Sequence, residues 1–271
     1  MSSLGRWIEA ARALLDHIEQ TQMESIETAA QWCARAIGKG GLVHLFGSGH
    51  SRIPVEEMFP RYGSFPGFHP MVELSMTHHT GVVGSNGQQQ AMFIERTEGL
   101  AEVILSNFHF GPDDLMIVFS ASGRAAVPVE MALGARQRGL GVVAVTSLPE
   151  SGALPAAHPS GKRLFEVADL VIDIGTPPGD ALVRIEGMDT PVGPGSTLAN
   201  VAVVNEIKVR TAELLVTAGS PPVVLSAASV VGDDRSQELF RNAYAEHGRR
   251  LGRLLEKHEP TLAWPGPYDT P

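Results

Sequence analysis

A chain of 271 residues, 43% of them hydrophobic, is long enough to bury a sizeable core in one large domain or two small ones. The net charge of −9 argues against nucleic acid as a partner, although a small anion needs only a local positive site. No apolar run has the length of a membrane-spanning helix, and the N-terminus lacks the features of a signal peptide. We therefore expect a cytoplasmic protein with no membrane partner.

The chain begins with a helical pattern. Apolar residues recur at spacings of three and four over 4–37, and Lys39-Gly40-Gly41 ends the pattern. The single cysteine, Cys33, lies on the apolar face, where we expect a small core residue. One cysteine excludes an internal disulfide and any CxxC metal pair.

Buried strands and helices alternate through the rest of the chain. The four short, apolar runs that indicate strands are 42–46, 115–120, 141–146 and 168–174. The helical patterns are 125–138, 197–217 and 235–257. None of the strand runs alternates cleanly, so both faces of the sheet are expected to be covered. This order predicts a single α/β domain over 1–258 with a parallel sheet, helical extensions at both ends and an irregular tail over 259–271.

Two strands run into loops of the same kind. "FGSGHS" (46–51) follows the first strand and "FSASGR" (119–124) follows the second predicted strand, and each loop leads to a helix with an early proline. Because proline is tolerated only in the first turn, Pro54 places a helix N-cap between His50 and Ile53, and Pro128 places one between Arg124 and Val127. Such turns direct backbone N–H groups outward at the positive end of a helix dipole.

The composition of these loops favours an anionic ligand. Hydroxyl donors are abundant, and the glycines allow an oxyanion to approach the backbone closely. The alternative is a pair of ordinary strand–helix turns, since serine and glycine are common there. The first loop lacks the third glycine of a dinucleotide-binding fingerprint, no GK[ST] is present, and "FSASG" is no nucleophile elbow.

The sequence resembles the sugar isomerase (SIS) domain family, and most closely an uncharacterised subgroup related to phosphoheptose isomerases. The blocks that carry the resemblance span roughly residues 40–215: "GSGHSRIPVEEMF", "ERTEGLAEV", "SASGRAAVPVEMA", "SGKRLFEVADLVID" and "VGPGST". The resemblance implies a flavodoxin-like three-layer α/β/α sandwich with a five-stranded parallel sheet. It also implies phosphosugar ligands and a homodimer or homotetramer with sites near subunit interfaces.

Residue by residue, the resemblance implies a substrate site made of three loops. The substrate-binding residues expected from it are Ser48, Gly49, His50, Ser51, Ser120, Ser122, Gly123, Arg124, Ser196 and Thr197. Phosphoheptose isomerases carry zinc on a histidine and a glutamate spaced along the helix after the first loop. This chain lacks that spacing, so we expect no metal and no other cofactor.

Carboxylates and histidines near these loops are the candidates for chemistry. Isomerisation of an aldose to a ketose needs a base beside the C2–H bond and a group that polarises the carbonyl. Of Glu56 and Glu57, we expect Glu57 to face the site. Glu98 precedes glycine as in the N-acetylmuramic acid 6-phosphate etherases, and Glu95 lies three residues earlier, where it would share a helix face. The alternative is that Glu95 or Glu98 is an exposed surface acid, since glutamate is usually exposed.

Of the two adjacent histidines, we expect His79, rather than His78, to act as a proton shuttle or ring-opening acid. His50 is expected to be a binding donor, and Lys162 and Arg163 are either added positive charge or solvated residues. The leading hypothesis is a sugar-phosphate isomerase that works through an enediol. The alternatives are an amino-sugar phosphate lyase or etherase, and a sugar-phosphate sensor without catalysis.

Overall fold

The computed structural model of the chain describes residues 2–77 and 87–256. The predicted tail, 259–271, lies outside these residues. The first helical pattern forms two helices, α1 (Arg6–Thr21) and α2 (Met23–Gly38), that are separated at Gln22. The next elements are β1 (Val43–Gly47), a 3₁₀ turn (Gly49–Arg52), α3 (Ile53–Met58), β2 (Phe68–Met71), α4 (Gly87–Ile94) and α5 (Leu100–Leu105).

The second half continues the alternation of strands and helices. Its first elements are β3 (Leu115–Phe119), α6 (Ala126–Gln137), β4 (Gly141–Thr146), α7 (Leu148–Gly152), α8 (Leu164–Val167) and β5 (Leu170–Asp173). A small hairpin, β6 (Ala181–Val183) with β7 (Val192–Pro194), precedes α9 (Ser196–Thr217), α10 (Ala228–Val231) and α11 (Asp233–Leu254). The predicted helices and strands are therefore present, with bounds that differ by a few residues.

Five parallel strands form the central sheet in the order β2-β1-β3-β4-β5. Side chains alternate between two apolar layers, so that Leu45 and Ile117 face α2 and α9, whereas Met116 and Val118 face α5 and α6. This is the expected three-layer arrangement of the flavodoxin-like fold, and it explains why the strand runs do not alternate with polar residues.

Strand β2 was not predicted as a strand from its own sequence. It reads Phe68-His69-Pro70-Met71, and a proline argues against a central strand because it cannot donate to the ladder. In the structure β2 lies at the edge of the sheet, where one side of the strand needs no partner. The prediction of Cys33 as a core residue is confirmed, since Cys33 is fully buried and burial raises the pKa of its thiol to about 12.

Among the described residues, no helix combines the length and the apolarity needed to span a bilayer.

Candidate functional site

The two predicted loops lie next to each other at the carboxyl edge of the sheet. Strands β1 and β3 are neighbours, and Gly47 at the end of β1 pairs with Phe119 at the end of β3. The loops that start at Ser48 and Ser120 therefore leave the sheet side by side. This is the edge at which open α/β sheets bind their ligands.

The first loop turns tightly over the end of β1. The Ser51 amide donates to the Ser48 carbonyl at 3.0 Å, and a Cβ atom at position 47 would overlap the Ser51 carbonyl group. Glycine is therefore required at position 47 by close packing of the backbone on itself. The N-cap of α3 is Arg52, within the predicted range.

The hydroxyl of Ser48 donates a hydrogen bond to Glu95 Oε2 at 2.8 Å. The Glu95 carbonyl in turn accepts the amide of Val127, in the first turn of α6, at 2.9 Å. Burial raises the pKa of Glu95, while the Ser48 hydrogen bond and the charge of Arg96 act in the opposite direction. The half-buried Glu95 is thus joined to the first loop through its side chain and to the start of α6 through its backbone.

The second loop is held by its own polar groups. The Ser120 amide donates to the Val145 carbonyl at 3.1 Å, and Ser120 Oγ accepts the Gly123 amide at 3.1 Å. Gly123 has φ 57°, a left-handed conformation, and a Cβ there would press on Thr146 and Leu164. Ser120 therefore shapes the loop, and the amide of Gly123 already has an acceptor.

Three other amides of this loop have no acceptor among the described residues. Within the described ranges, the structure gives no acceptor for the N–H groups of Ser122, Arg124 and Ala125. They lie directly before α6, a helix of 12 residues whose N-cap is Ala125, inside the predicted range. N–H groups at such a helix start form an anion-binding site.

The residues that carry these amides line a pocket of about 370 Å³, together with acidic and basic residues of the region. Arg124 donates from Nε to the Pro155 carbonyl at 2.8 Å and forms no ion pair with any residue that the structure describes. The pocket therefore combines amides, cations and two carboxyl groups. Its lining residues are Glu95, Arg96, Glu98, Ser122, Arg124, Ala125, Ala126, Ala157 and Pro159.

Glu95 and Glu98 both line the pocket, but they do not share a helix face as the spacing suggested. Helix α4 ends at Ile94, and Glu98 lies in the exposed turn before Gly99, the N-cap of α5. The turn brings the two carboxyl groups to one pocket by changing the chain direction. The importance of Glu95 was not evident from sequence, because its hydroxyl partner is 47 residues away.

Glu57 lies elsewhere. Its Oε1 accepts Asn205 Nδ2, in α9, at 3.1 Å, and its other oxygen pairs with Arg61. The Glu57 carbonyl accepts Lys208 Nζ at 2.9 Å, and burial lowers the pKa of this lysine. Glu57 is directed inward as expected, but toward α9. It borders a surface depression with Tyr62 rather than the pocket of Ser122.

The third predicted loop is occupied by a carboxylate of the chain itself. Asp180 accepts the Ser196 amide at 2.8 Å and the Ser196 hydroxyl at 2.6 Å, and it also accepts the Gly195 amide at 3.1 Å. Asp180 has φ 62°, which asparagine and aspartate tolerate better than most residues. The donors of Ser196 are therefore engaged within the protein, and Thr197 does not line the pocket.

The remaining predicted residues have varied surroundings. Gly49 starts the 3₁₀ turn, His50 is exposed, and Ser51 is half-buried. His78 and His79 lie outside the described residues. Arg163 pairs with Glu166 at 2.9 Å, so its charge is engaged there. Within 2–77 and 87–256, no group of three or more His, Cys, Asp or Glu residues is arranged to hold a metal ion.

The comparisons with known proteins agree with this architecture. A family model described as "SIS domain" matches residues 6–147. A UPF0309 protein of Listeria monocytogenes is 31% identical over 252 residues, which cover 93% of this chain and 100% of that protein. A UPF0309 protein of Oceanobacillus iheyensis is 35% identical over 227 residues, which cover 83% of this chain and 90% of that protein.

Among solved structures, a phosphoheptose isomerase from Francisella tularensis has the same fold, with a TM-score of 0.50 and 14% sequence identity. The match covers 78% of this chain and 98% of that one. The family predicted from the loop motifs is thereby confirmed. The chain belongs to the SIS domain family and, within it, to the UPF0309 proteins.

Proposed function

We propose that this protein is a sugar-phosphate isomerase that interconverts an aldose phosphate and a ketose phosphate by proton transfer. The observation that carries the proposal is a pocket lined by Glu95, Glu98 and Arg124 and by the loop before α6, in which three amides have no acceptor among the described residues. An anion-binding loop next to paired carboxyl groups suits a substrate with a phosphate at one end and a carbonyl at the other.

In this proposal the loop before α6 binds the phosphate. The amides of Ser122, Arg124 and Ala125 and the hydroxyl of Ser122 supply the hydrogen bonds, and Arg124 supplies positive charge. The bound phosphate places the sugar carbons toward the turn at Glu98. Ser120 contributes through the shape of the loop, because it accepts the Gly123 amide.

Glu95 is the proposed proton-transfer group. As a carboxylate it removes the proton from C2, the electron pair of that C–H bond forms the double bond of an enediolate, and the carbonyl oxygen takes the negative charge. The resulting carboxylic acid returns the proton to C1 while the hydroxyl proton moves between the oxygens, so the step is balanced. A carboxyl pKa raised by burial moves toward the working pH, which favours both halves of this transfer. Glu98 is proposed to handle the hydroxyl proton.

The test is exchange with heavy water. The protein is incubated with a panel of ketose and aldose phosphates in deuterium oxide, and the expected result is deuterium at the carbon next to the carbonyl. Glu95→Gln should abolish incorporation while binding is kept. Glu102→Gln is the matched control, because Glu102, in the neighbouring helix α5, pairs with Arg138 and does not line the pocket. Absence of deuterium with every substrate contradicts the isomerase proposal.

A lyase or etherase acting on an amino-sugar phosphate is the second candidate. The Glu98-Gly99 pair at the pocket supports the lyase or etherase. Elimination, like isomerisation, begins with removal of a proton beside a carbonyl group, and a glutamate can act as the base. Release of lactate from a muramic acid phosphate separates this activity from isomerisation. If ligands raise the melting temperature but neither product forms, the protein is a sensor.

The proposal includes a homodimer or homotetramer in the cytoplasm. Sedimentation equilibrium tests the oligomeric state, and cell fractionation tests the compartment.

A further inference from the structure

Glu130, a residue of α6 outside the proposed chemistry, contacts the turn that carries Glu98. The Gly99 amide donates to both oxygens of the Glu130 carboxylate, at 2.9 and 3.1 Å. Gly99 directly follows Glu98 and is the N-cap of α5, where no side chain of the turn itself provides a cap. A carboxylate from a neighbouring helix thus fixes the bend from which Glu98 borders the pocket.

The same carboxylate contacts a second segment that lines the pocket. His158 Nε2 lies 3.3 Å from Glu130 Oε1, and the two side chains are only 11% and 18% exposed. The residues on either side of His158, Ala157 and Pro159, line the pocket. On its other side the His158 ring is oriented by Ser160 Oγ, 2.8 Å from Nδ1. One carboxylate therefore joins the turn at Glu98 to the segment 157–159.

A second contact, between α5 and the end of α6, allows the effect of losing Glu130 on the pocket to be distinguished from a general loss of folding. Glu102 of α5 pairs with Arg138 of α6 at 2.5 and 3.0 Å and holds the two helices together without touching the pocket. Loss of Glu130 leaves this link in place. Loss of Glu130 removes the acceptor of the Gly99 amide and the partner of His158, which are the contacts that join the Glu98 turn to the segment 157–159.

We infer that Glu130 is a positioning residue that sets the separation between the Glu98 turn and the segment 157–159. Its effect on a ligand rests on the proposed function, because that function places the sugar toward the Glu98 turn and the phosphate on the loop before α6. The contacts of Glu130 with Gly99 and His158 do not depend on that function.

The first test is amide hydrogen exchange on Glu130→Gln, with Glu102→Gln as the control. We expect exchange at Gly99 and over 157–160 to become about tenfold faster in Glu130→Gln only, because a charge-assisted hydrogen bond is lost. His158→Ala should speed exchange over 157–160, and His158→Gln, which keeps a donor near Nε2, should restore the slow rate. Equal exchange in Glu130→Gln and wild type, or faster exchange across all of α5 and α6, overturns the inference.

The second test separates the sugar from the phosphate by calorimetric titration. Glu130→Gln should weaken binding of fructose 6-phosphate by about tenfold and leave the affinity for inorganic phosphate within about twofold, since the proposed function places the sugar at the Glu98 turn and the phosphate on the loop before α6. Equal losses for both probes contradict the inference. If neither probe binds to the wild type, the proposed function fails, whereas the exchange experiment still decides the role of Glu130.

Discussion

Ser48 Oγ donates to Glu95 Oε2 at 2.8 Å, and this hydrogen bond joins the loop after β1 to the end of α4. Ser48 does not line the pocket itself, but its hydroxyl orients the carboxyl group of Glu95, which does. In the proposed function this makes Ser48 a positioning residue for Glu95 and not chiefly a ligand of the sugar.

Replacement of Ser48 is expected to change the pH dependence of turnover. The Ser48 hydrogen bond lowers the pKa of Glu95 against the raising effect of burial, so Ser48→Ala should raise that pKa further. The basic form of Glu95 then appears only at higher pH, and the acid limb of the pH–rate profile moves to higher pH. Deuterium incorporation measured across pH checks this. Ser122→Ala is the control, which should weaken binding without moving the limb, and an unmoved limb in Ser48→Ala contradicts the assignment.

A methyl group at position 47 is expected to disrupt the first loop. In Gly47→Ala the added Cβ overlaps the carbonyl group of Ser51, which is backbone and has no rotamer to change. We expect a loss of about 1–3 kcal/mol in the free energy of unfolding, together with weaker ligand binding. Urea denaturation measures the first effect. Gly152→Ala, where no atom lies within 4 Å of the new Cβ, should be nearly neutral, and equal losses in the two variants refute this explanation.

Asp180 is expected to stabilise the start of α9. Asp180→Asn keeps a residue that tolerates φ 62° and an oxygen that can accept the amides of Gly195 and Ser196, but it removes the negative charge and the second oxygen, which accepts the Ser196 hydroxyl. We expect a loss of about 1 kcal/mol in the free energy of unfolding. Chemical denaturation gives the value, with the exposed Asp189→Asn as the control. If Asp180→Asn unfolds like the wild type, the negative charge of Asp180 does not stabilise the start of α9.

A buried histidine pair is expected to limit stability in acid. His44 Nδ1 lies 2.9 Å from His69 Nδ1, and burial, with the neighbouring His44 and His247, lowers the pKa of His69 to about 3. Between about pH 6.5, where His69 titrates in the unfolded chain, and about pH 3, only the unfolded chain binds this proton, so stability falls as the pH decreases.

The magnitude follows from the same linkage. From about pH 7 to about pH 4.5 we expect His69 to account for a loss of roughly 2–3 kcal/mol. His69→Gln should lose correspondingly less between these two pH values in urea denaturation. Burial acts to raise the pKa of Asp114, but the hydrogen bond and charge of His44 hold it below its ordinary value, so the contribution of Asp114 is lost only in stronger acid. The same acid sensitivity in wild type and His69→Gln rules out this origin.

The elements that sequence analysis predicted are those whose residues are buried on both faces or follow a helical repeat. Strands β3 and β4 are continuous apolar runs, and α9 and α11 follow the helical period. Strand β2 escaped because its identity depends on pairing with β1 at an edge. Its proline is compatible with an edge position, but the pairing with β1 that makes the segment a strand is not encoded in the local sequence.

The candidate site was predictable in part: the sequence indicated several of its residues but not the long-range contacts that orient them. Ser122, Arg124 and Glu98 were expected near a ligand, and the structure places them at one pocket. The direction of Glu57 was not predictable, because it depends on Asn205 in a helix about 150 residues later. The capping of Ser196 by Asp180 was not predictable either, since it depends on a hairpin that brings residues 16 positions apart together.

The sequence by itself determined the alternation of strands and helices, the family, and the two loops whose glycines and prolines specify tight turns before helices. These features follow from local sterics and from the burial of periodic apolar residues, which a single stretch of chain encodes. Only the tertiary structure decided which donors remain for a ligand, which carboxyl group faces them, and which donors the chain has already used. Those outcomes depend on distances between residues far apart in the chain, and hydrogen bonds and pKa values respond to distance and burial rather than to order in the sequence.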